Sequence, residues 1–260
     1  MKISEIKSHL NNNVKILIYD VLESSNETAK ELANGGGTEF TTVIAKSQTR
    51  GKGRLGRSFI SKSENGLYMS VIFRPEASPD KCTSITALAS VAVLEAIKDT
   101  TDLIPSIKWV NDIYINDKKV CGILTEASFD NDKLSYVIVG IGVNISKPEN
   151  GFDAEIENIA TSIFEGDAPD GYKELLCARV IDNLIYYYSR MNDNEHMEAY
   201  KSHSNIIGKE VDVYRGNEII KGVAVDIGNN AELIVKDENG DICVFNSGEA
   251  RVRKSGVSLS

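Results

Sequence analysis

Residues 48–58 read Gln48-Thr49-Arg50-Gly51-Lys52-Gly53-Arg54-Leu55-Gly56-Arg57-Ser58. Lys46, Arg50, Lys52, Arg54 and Arg57 fall close together here with no carboxylate among them, in a chain of formal net charge −9. Three glycines separate the bases, and a residue without a Cβ lets backbone approach a ligand or adopt positive φ. Such a loop sets N–H donors beside fixed positive charge, which suits a phosphate or a carboxylate. Upstream, Thr41-Thr42-Val43-Ile44-Ala45 reads as a strand. Downstream come Phe59-Ile60, a turn-forming stretch at residues 61–66, and then Leu67, Met69, Val71 and Phe73 on one face of a second strand. Gly51, Gly53 and Gly56 have G-x-G-x-x-G spacing, and residues 51–58 nearly match a P-loop with Arg57 in place of lysine. Both motifs need a helix N-terminus behind the loop, and the strand periodicity supplies none. The loop is a cationic connection between strands, outside both nucleotide-binding motifs.

A chain of 260 residues has room for one large domain, or one large and one small. Hydrophobic content of 42% and charged content of 26% are those of a soluble globular protein. No apolar h-region follows Met1-Lys2-Ile3-Ser4-Glu5-Ile6-Lys7, and no apolar run reaches membrane-spanning length. A cytoplasmic protein with no membrane partner is expected. Cys82, Cys121, Cys177 and Cys243 form no C-x-x-C pair and are expected to be reduced, mostly buried thiols. His9, His196 and His203 make no metal-ligand spacing with them, so no zinc site and no protein metal cage is expected. The acidic total argues against nucleic acid, which would need a basic surface far larger than one loop.

In chain order, Lys15-Ile16-Leu17-Ile18-Tyr19 is a strand, followed by a helix in which Ser24 and Glu27 have capping-box spacing and Gly35-Gly36-Gly37 form the stop. From Thr83 to Lys98, Ile85, Leu88, Ala89, Ala92, Val93, Ala96 and Ile97 recur at helical spacing. Two strands, around Ile107-Lys108-Trp109 and Ile113-Tyr114-Ile115, flank an Asn111-Asp112 turn; Asn116-Asp117-Lys118 makes a hairpin into Lys119-Val120-Cys121-Gly122-Ile123-Leu124. Gly122 inside that strand suggests that something approaches the backbone. Tyr136 to Ile141 forms a further strand, ending in Gly140-Ile141-Gly142-Val143-Asn144, and Ile181, Leu184, Ile185, Tyr188 and Met191 mark a second amphipathic helix. Beyond Asn205 the chain turns to short strands, with turns at Arg215-Gly216-Asn217, Gly228-Asn229-Asn230 and Asn239-Gly240, as in a small all-β barrel. This predicts a domain over residues 1–205 and a second over 206–260.

The ordered set Ser24-Ser25-Asn26, Gln48 with Gly51-Lys52-Gly53-Arg54-Leu55-Gly56-Arg57, Lys108-Trp109-Val110-Asn111-Asp112, Lys119-Val120-Cys121-Gly122-Ile123-Leu124 and Gly140-Ile141-Gly142-Val143-Asn144 resembles a biotin–protein ligase over nearly the whole chain. The resemblance implies an α/β (α+β) fold: a mixed sheet flanked by helices, related to class II aminoacyl-tRNA synthetases and lipoate ligases, plus a small C-terminal SH3-like β-barrel. The family often has Arg where Lys52 stands, Ser-Thr at Ser24-Ser25 and Pro at Val110. Its bifunctional members add an N-terminal helix-turn-helix repressor domain. Here the catalytic domain is expected to start almost at residue 1, implying a short form without that module.

The implied reaction joins biotin and ATP into biotinyl-5′-AMP and pyrophosphate. A lysine of a biotin carboxyl carrier protein then attacks the acyl-adenylate. The resemblance implies biotin contacts from Ser24, Ser25, Asn26, Gln48, Gly51, Lys52, Gly53, Arg54, Lys119 and Gly122. It implies ATP or adenylate contacts from Arg54, Arg57, Lys108, Asn111, Lys119, Asn144 and Arg253, the last reaching in from the terminal domain. Lys119, Arg54 and Asp112 are the catalytic candidates, Asp112 acting on the Mg²⁺–phosphate assembly or on the incoming lysine. The oligomeric state stays open, a homodimer included. A lipoate ligase shares the fold and reaction type, but Gln48 with Lys119-Val120-Cys121-Gly122 favours biotin. A non-enzymatic adaptor using the barrel would leave the cationic loop and the Asn111-Asp112 turn without a role.

Overall fold

The computed structural model describes residues 1–61, 64–75, 82–131, 133–216 and 218–253. Its first part runs α1 (Ile3–His9), β1 (Ile16–Leu22), α2 (Ser25–Asn34), β2 (Thr42–Gln48), β3 (Gly66–Phe73), α3 (Cys82–Thr100), β4 (Ser106–Lys108), β5 (Asp112–Ile115), β6 (Lys118–Asp130) and β7 (Lys133–Asn144). Then follow α4 (Tyr172–Ser189), α5 (Glu195–Ser202), β8 (Glu210–Arg215), β9 (Glu218–Ile227), β10 (Leu233–Asp237), β11 (Ile242–Phe245) and β12 (Glu249–Val252). Lys62, Ser63, Asn217 and the Cys82 side chain, on which two turn expectations and one thiol expectation fall, lie outside the described residues.

Strand alternation divides the apolar residues between two faces of a seven-stranded sheet ordered β1-β2-β3-β7-β6-β5-β4. β1 and β2 are parallel and every other neighbouring pair is antiparallel. Val43, Ile72, Tyr136 and Ile138 pack with Ala29 and Ala33 of α2 on one side. Ile44, Val71, Phe73, Val137 and Val139 join the larger core around α3 on the other. The periodicity predicts one apolar face for α3, but Ala87, Val91 and Leu94 are buried as fully as Leu88 and Ile97. The reason is enclosure: the sheet covers one side of α3, and α4 and α5 cover the other.

The mixed sheet with flanking helices and the small terminal β unit are both present. That unit is an antiparallel sheet ordered β11-β10-β9-β8-β12. Three elements leave little sequence signal: α1, a short helix anchored by the buried Ile6; α5; and β12. The hairpin between β5 and β6 is the predicted one, with Asn116 and Asp117 both at positive φ, a two-residue turn that Asn and Asp tolerate. Cys121 and Cys177 are free and buried, and Cys243 is free and half-buried. Among the described residues no helix is long and apolar enough to cross a membrane.

His196 of α5 is 1% exposed, its Nε2 2.8 Å from Ser84 Oγ of α3. Burial pushes its pKa from 6.5 down to about 4, against a smaller opposing pull from Glu195. The unfolded chain therefore takes up a proton between those two pH values that the folded chain refuses. This contribution to stability is complete above pH 6.5 and is lost as pH falls towards 4. The slope is about 1.4 kcal/mol per pH unit and the total about 3 kcal/mol. Urea unfolding of the parent and His196→Gln across that window checks it: the variant should lack this slope, and parallel curves would remove His196 as its source.

Candidate active site

A cavity of about 670 Å³ opens on the α2 face of the sheet, between the cationic loop, the N-terminus of α2 and the edge of the terminal unit. Its floor comes from three adjacent strands. Gly142 of β7 stands opposite Gly122 of β6, and Gly140 stands opposite Ser70 of β3. A Cβ at Gly142 would lie 2.6 Å from the Phe59 ring, one at Gly122 would lie 3.1 Å from Lys119 Nζ, and one at Gly140 would overlap the Asn26 carboxamide. The glycines let side chains from other elements lie flat on the sheet.

At one end of the floor the buried Ser24, Ser25 and Asn26 line the cavity beside Gln48. Gln48 Oε1 accepts the Ser25 N–H at 2.7 Å, and its Nε2 donates to Ser61 Oγ at 3.0 Å. The predicted capping box does not form: Ser24 occupies the N-cap position without a side-chain cap bond. Glu27 instead pairs with Lys30 at 2.9 Å and Lys52 at 2.5 Å. Lys52 of the loop and Lys30 of α2 itself take its carboxylate away from the helix end.

The cationic loop does not keep its charges free. Lys46 pairs with Asp20 at 2.7 Å, Arg50 with Glu23, Lys52 with Glu27, and Arg57 with Glu249 of β12 at 2.5 Å. Arg54 is the exception, with no carboxylate partner among the described residues. Its Nη1 donates to Asn111 Oδ1 at 3.0 Å and its Nη2 to the Gly248 carbonyl at 3.3 Å. Burial pulls the Arg54 guanidinium below its usual range, against the more distant fields of Asp112 and Glu249. The three glycines serve different ends. Gly56 has φ +74°, Gly51 has no room for a Cβ beside Phe59 and Ser61, and Gly53 donates its N–H to Arg57 O at 2.8 Å to close the loop on itself.

Opposite Arg54, residues 109–111 connect β4 to β5. Trp109 Nε1 donates to the Ala231 carbonyl of the terminal unit at 2.8 Å, and Tyr200 of α5 donates to Val110 O at 3.0 Å. Asn111 Nδ2 donates to Ile123 O at 2.6 Å, which leaves its Oδ1 for Arg54. Asp112 opens β5 and holds Lys119 Nζ at 2.7 Å across the hairpin. Lys108 also lines the cavity; its Nζ donates to Tyr114 Oη at 3.3 Å, and burial lowers its pKa, with Asp112 opposing. Asn144 closes this end, donating to Thr161 O at 3.0 Å.

The fold thus gathers Ser24, Ser25, Asn26, Gln48, Lys52, Gly53, Arg54, Arg57, Lys108, Asn111, Asp112, Lys119, Gly122 and Asn144 around one cavity. Gly51 lies beneath the loop, on the adjoining outer groove. Arg253 is a correction: the structure does not bring it to the cavity. Its guanidinium sits 3.2 Å from Asp212, 3.4 Å from Glu238 and 4.0 Å from Glu210, and carboxylates of its own sheet hold it there. The terminal unit reaches the cavity through Gly248, Glu249 and Ala250 instead. Sequence reasoning also passed over Phe59, Ser70 and the segment around Phe152 and Ile156. The alternation Gly140-x-Gly142 was the available signal, since two glycines on one strand face mark a place where side chains lie against the sheet.

Residues 18–144 match the biotin/lipoate A/B protein ligase family, and residues 206–253 match the biotin protein ligase C terminal domain. The bifunctional ligase/repressor BirA of Bacillus subtilis is 43% identical over 163 residues, an alignment spanning 62% of this chain and half (50%) of that protein. Its counterpart in Bacillus spizizenii is 34% identical over 247 residues, covering 91% of this chain and 75% of the relative. The biotin protein ligase from Aquifex aeolicus, solved in complex with biotin and ATP, superposes with a TM-score of 0.76 at 26% identity, over 93% of this chain and 99% of that one. With the catalytic sheet and the terminal unit both matched in order, the chain belongs to the biotin protein ligase family.

Proposed function

We propose that the chain is an ATP-dependent biotin–protein ligase acting on the biotin carboxyl carrier protein of acetyl-CoA carboxylase, in the cytoplasm. The observation that carries this reading is Arg54, a half-buried guanidinium without a carboxylate partner among the described residues while its four neighbours are paired. A cation so placed is preorganised for an anionic ligand. The match of residues 206–253 to the biotin protein ligase C terminal domain and the relatives' names support biotin over lipoate as that ligand.

In the first step a biotin carboxylate oxygen attacks the α-phosphorus of ATP, a P–O bond forms, and pyrophosphate leaves. ATP enters as its Mg²⁺ complex. Ser25, Asn26 and Gln48 hold the ring end of biotin over the glycine floor. Arg54 and Lys119 converge on the carboxylate and the α-phosphate, Asn111 aims Arg54, and Asp112 orients Lys119. Lys108 and Asn144 lie on the nucleotide side. In the second step the carrier lysine's amine attacks the acyl carbon, the bond to the phosphate oxygen breaks, AMP leaves, and the amine proton passes to solvent. No covalent enzyme intermediate is needed, so the chain supplies orientation and charge. The division at residue 205 separates this machinery from a terminal unit that braces Trp109 and the loop.

Two outcomes test the reading. Leu55, at the loop's tip, is 75% exposed, and the loop's arginines are tryptic sites. Biotin with Mg-ATP should slow cleavage after Arg50, Arg54 and Arg57, and equal rates with and without ligands would count against closure of the loop on an anion. Lys119→Met keeps the stem, removes the charge and leaves Asp112 unpaired. The Lys119 side chain is 31% and that of Asp112 22% exposed, so screening limits the cost to about 1–3 kcal/mol. Pyrophosphate release with biotin and ATP should then fall about tenfold to a hundredfold. A folded variant releasing pyrophosphate at the parent rate would remove Lys119 from the site.

A further inference from the structure

Arg54 takes its aim from Asn111, and Asn111 is held by groups that have no choice of role. The Ile123 carbonyl can only accept, so Asn111 Nδ2 turns to it at 2.6 Å. The Arg54 guanidinium can only donate, so Asn111 Oδ1 turns to Nη1 at 3.0 Å. The backbone on the C-terminal side of Asn111 is held as well, its carbonyl accepting the Ile123 N–H at 3.0 Å. On the N-terminal side stands the peptide whose carbonyl belongs to Val110.

Tyr200 donates to that carbonyl at 3.0 Å. It comes from α5, is fully buried, and is not among the residues lining the cavity. Burial pushes its pKa up, so the hydroxyl keeps its proton, and a carbonyl can only receive it. The helix that carries Tyr200 is itself fixed. His196 and Tyr200 are both buried and lie one turn apart on one face of α5, and His196 Nε2 is 2.8 Å from Ser84 Oγ of α3. Trp109, next to Val110 in the chain, is tied to the Ala231 carbonyl at 2.8 Å. Any buried tyrosine needs a partner for its hydroxyl. This one meets the peptide that enters the residue orienting Arg54.

We propose that Tyr200 is a positioning residue for adenylate formation: by holding the Val110 carbonyl it fixes the peptide that carries Asn111, and through Asn111 it sets the direction of Arg54. The inference rests on the reading of Arg54 as the cation that meets the biotin carboxylate and the α-phosphate. It adds to that reading a side chain, on a helix behind the site, that touches no ligand. Without the hydroxyl, the Val110–Asn111 peptide is free to rotate. A guanidinium displaced by a fraction of an ångström then loses part of the charge stabilisation for which it is preorganised.

The test is a double-mutant cycle on the full chain, read as pyrophosphate release with saturating biotin and Mg-ATP, well below the unfolding midpoint of each variant. Tyr200→Phe removes one oxygen and keeps every carbon. Asn111→Ala removes the carboxamide through which the effect passes and leaves the Arg54 charge in place. Each single variant should lower kcat about tenfold. The double variant should be no more than about twofold slower than Asn111→Ala alone, because residues acting through one path do not add. A tyrosine serving only the core would lower stability and leave the rate at the parent value, or its loss would multiply with that of Asn111→Ala. Either result overturns the inference, as does a parental rate in Asn111→Ala. Should Tyr200→Phe fail to fold, Tyr200→Met takes its place in the same cycle, since a flexible thioether fills the space without offering a donor. All these failures leave the ligase reading standing, because the parent still releases pyrophosphate. A parent protein that releases none with biotin and ATP overturns both.

Discussion

The site depends on a sheet face with no side chains where the cavity needs its floor. Gly122 and Gly142 face one another across β6 and β7, and Gly140 lies one step along. A methyl group at any of them would meet Phe59, Lys119 or Asn26 within van der Waals distance. Glycine inside a strand weakens the strand, because it packs nothing and loses more backbone freedom on folding. The opposite face compensates. Val137, Val139 and Ile141 on β7 and Ile123 on β6 are buried in the core around α3, which is itself buried on every side from residue 84 to 94. One side of the central strands carries the stability and the other is left open to hold a ligand.

Electrostatics follow the same division. Four cations of the loop are matched by carboxylates brought from β1, the turn before α2, α2 itself and β12. These pairs are largely exposed and each contributes little to stability. Their effect is geometric: they pin the loop at both flanks and withdraw its charge from the cavity. Arg54 remains, held by neutral oxygens that orient it without neutralising it. The terminal unit takes part in this. Glu249 holds Arg57, the Gly248 carbonyl holds Arg54, and the Ala231 carbonyl fixes Trp109.

Much of this was legible in the chain before any coordinates. Strand periodicity after the loop excluded the two helix-dependent phosphate motifs, because alternation at two residues is incompatible with a helix behind the loop. The hairpin at Asn116-Asp117, the buried helix after Thr83 and the change to short strands beyond Asn205 each follow from local propensity and spacing. The site residues were recognisable as an ordered set, and Gly122 on β6 marked a place where something approaches the sheet.

What the tertiary structure decided was pairing. The sequence presents five cations with no acid among them; folding supplies Asp20, Glu23, Glu27 and Glu249 from elsewhere and leaves Arg54 as the exception. Ser24 and Glu27 have the spacing of a capping box, yet Lys30 and Lys52 claim Glu27. Arg253 lies only a few residues beyond Gly248, but its own sheet's carboxylates capture it while the preceding turn reaches the cavity. Local propensity acts over a few residues, so the chain alone determined elements, turns and the residue types of the site. Coulomb and hydrogen-bond partners act through space across the whole fold, and only the assembled structure could say which cation has no carboxylate partner among the described residues.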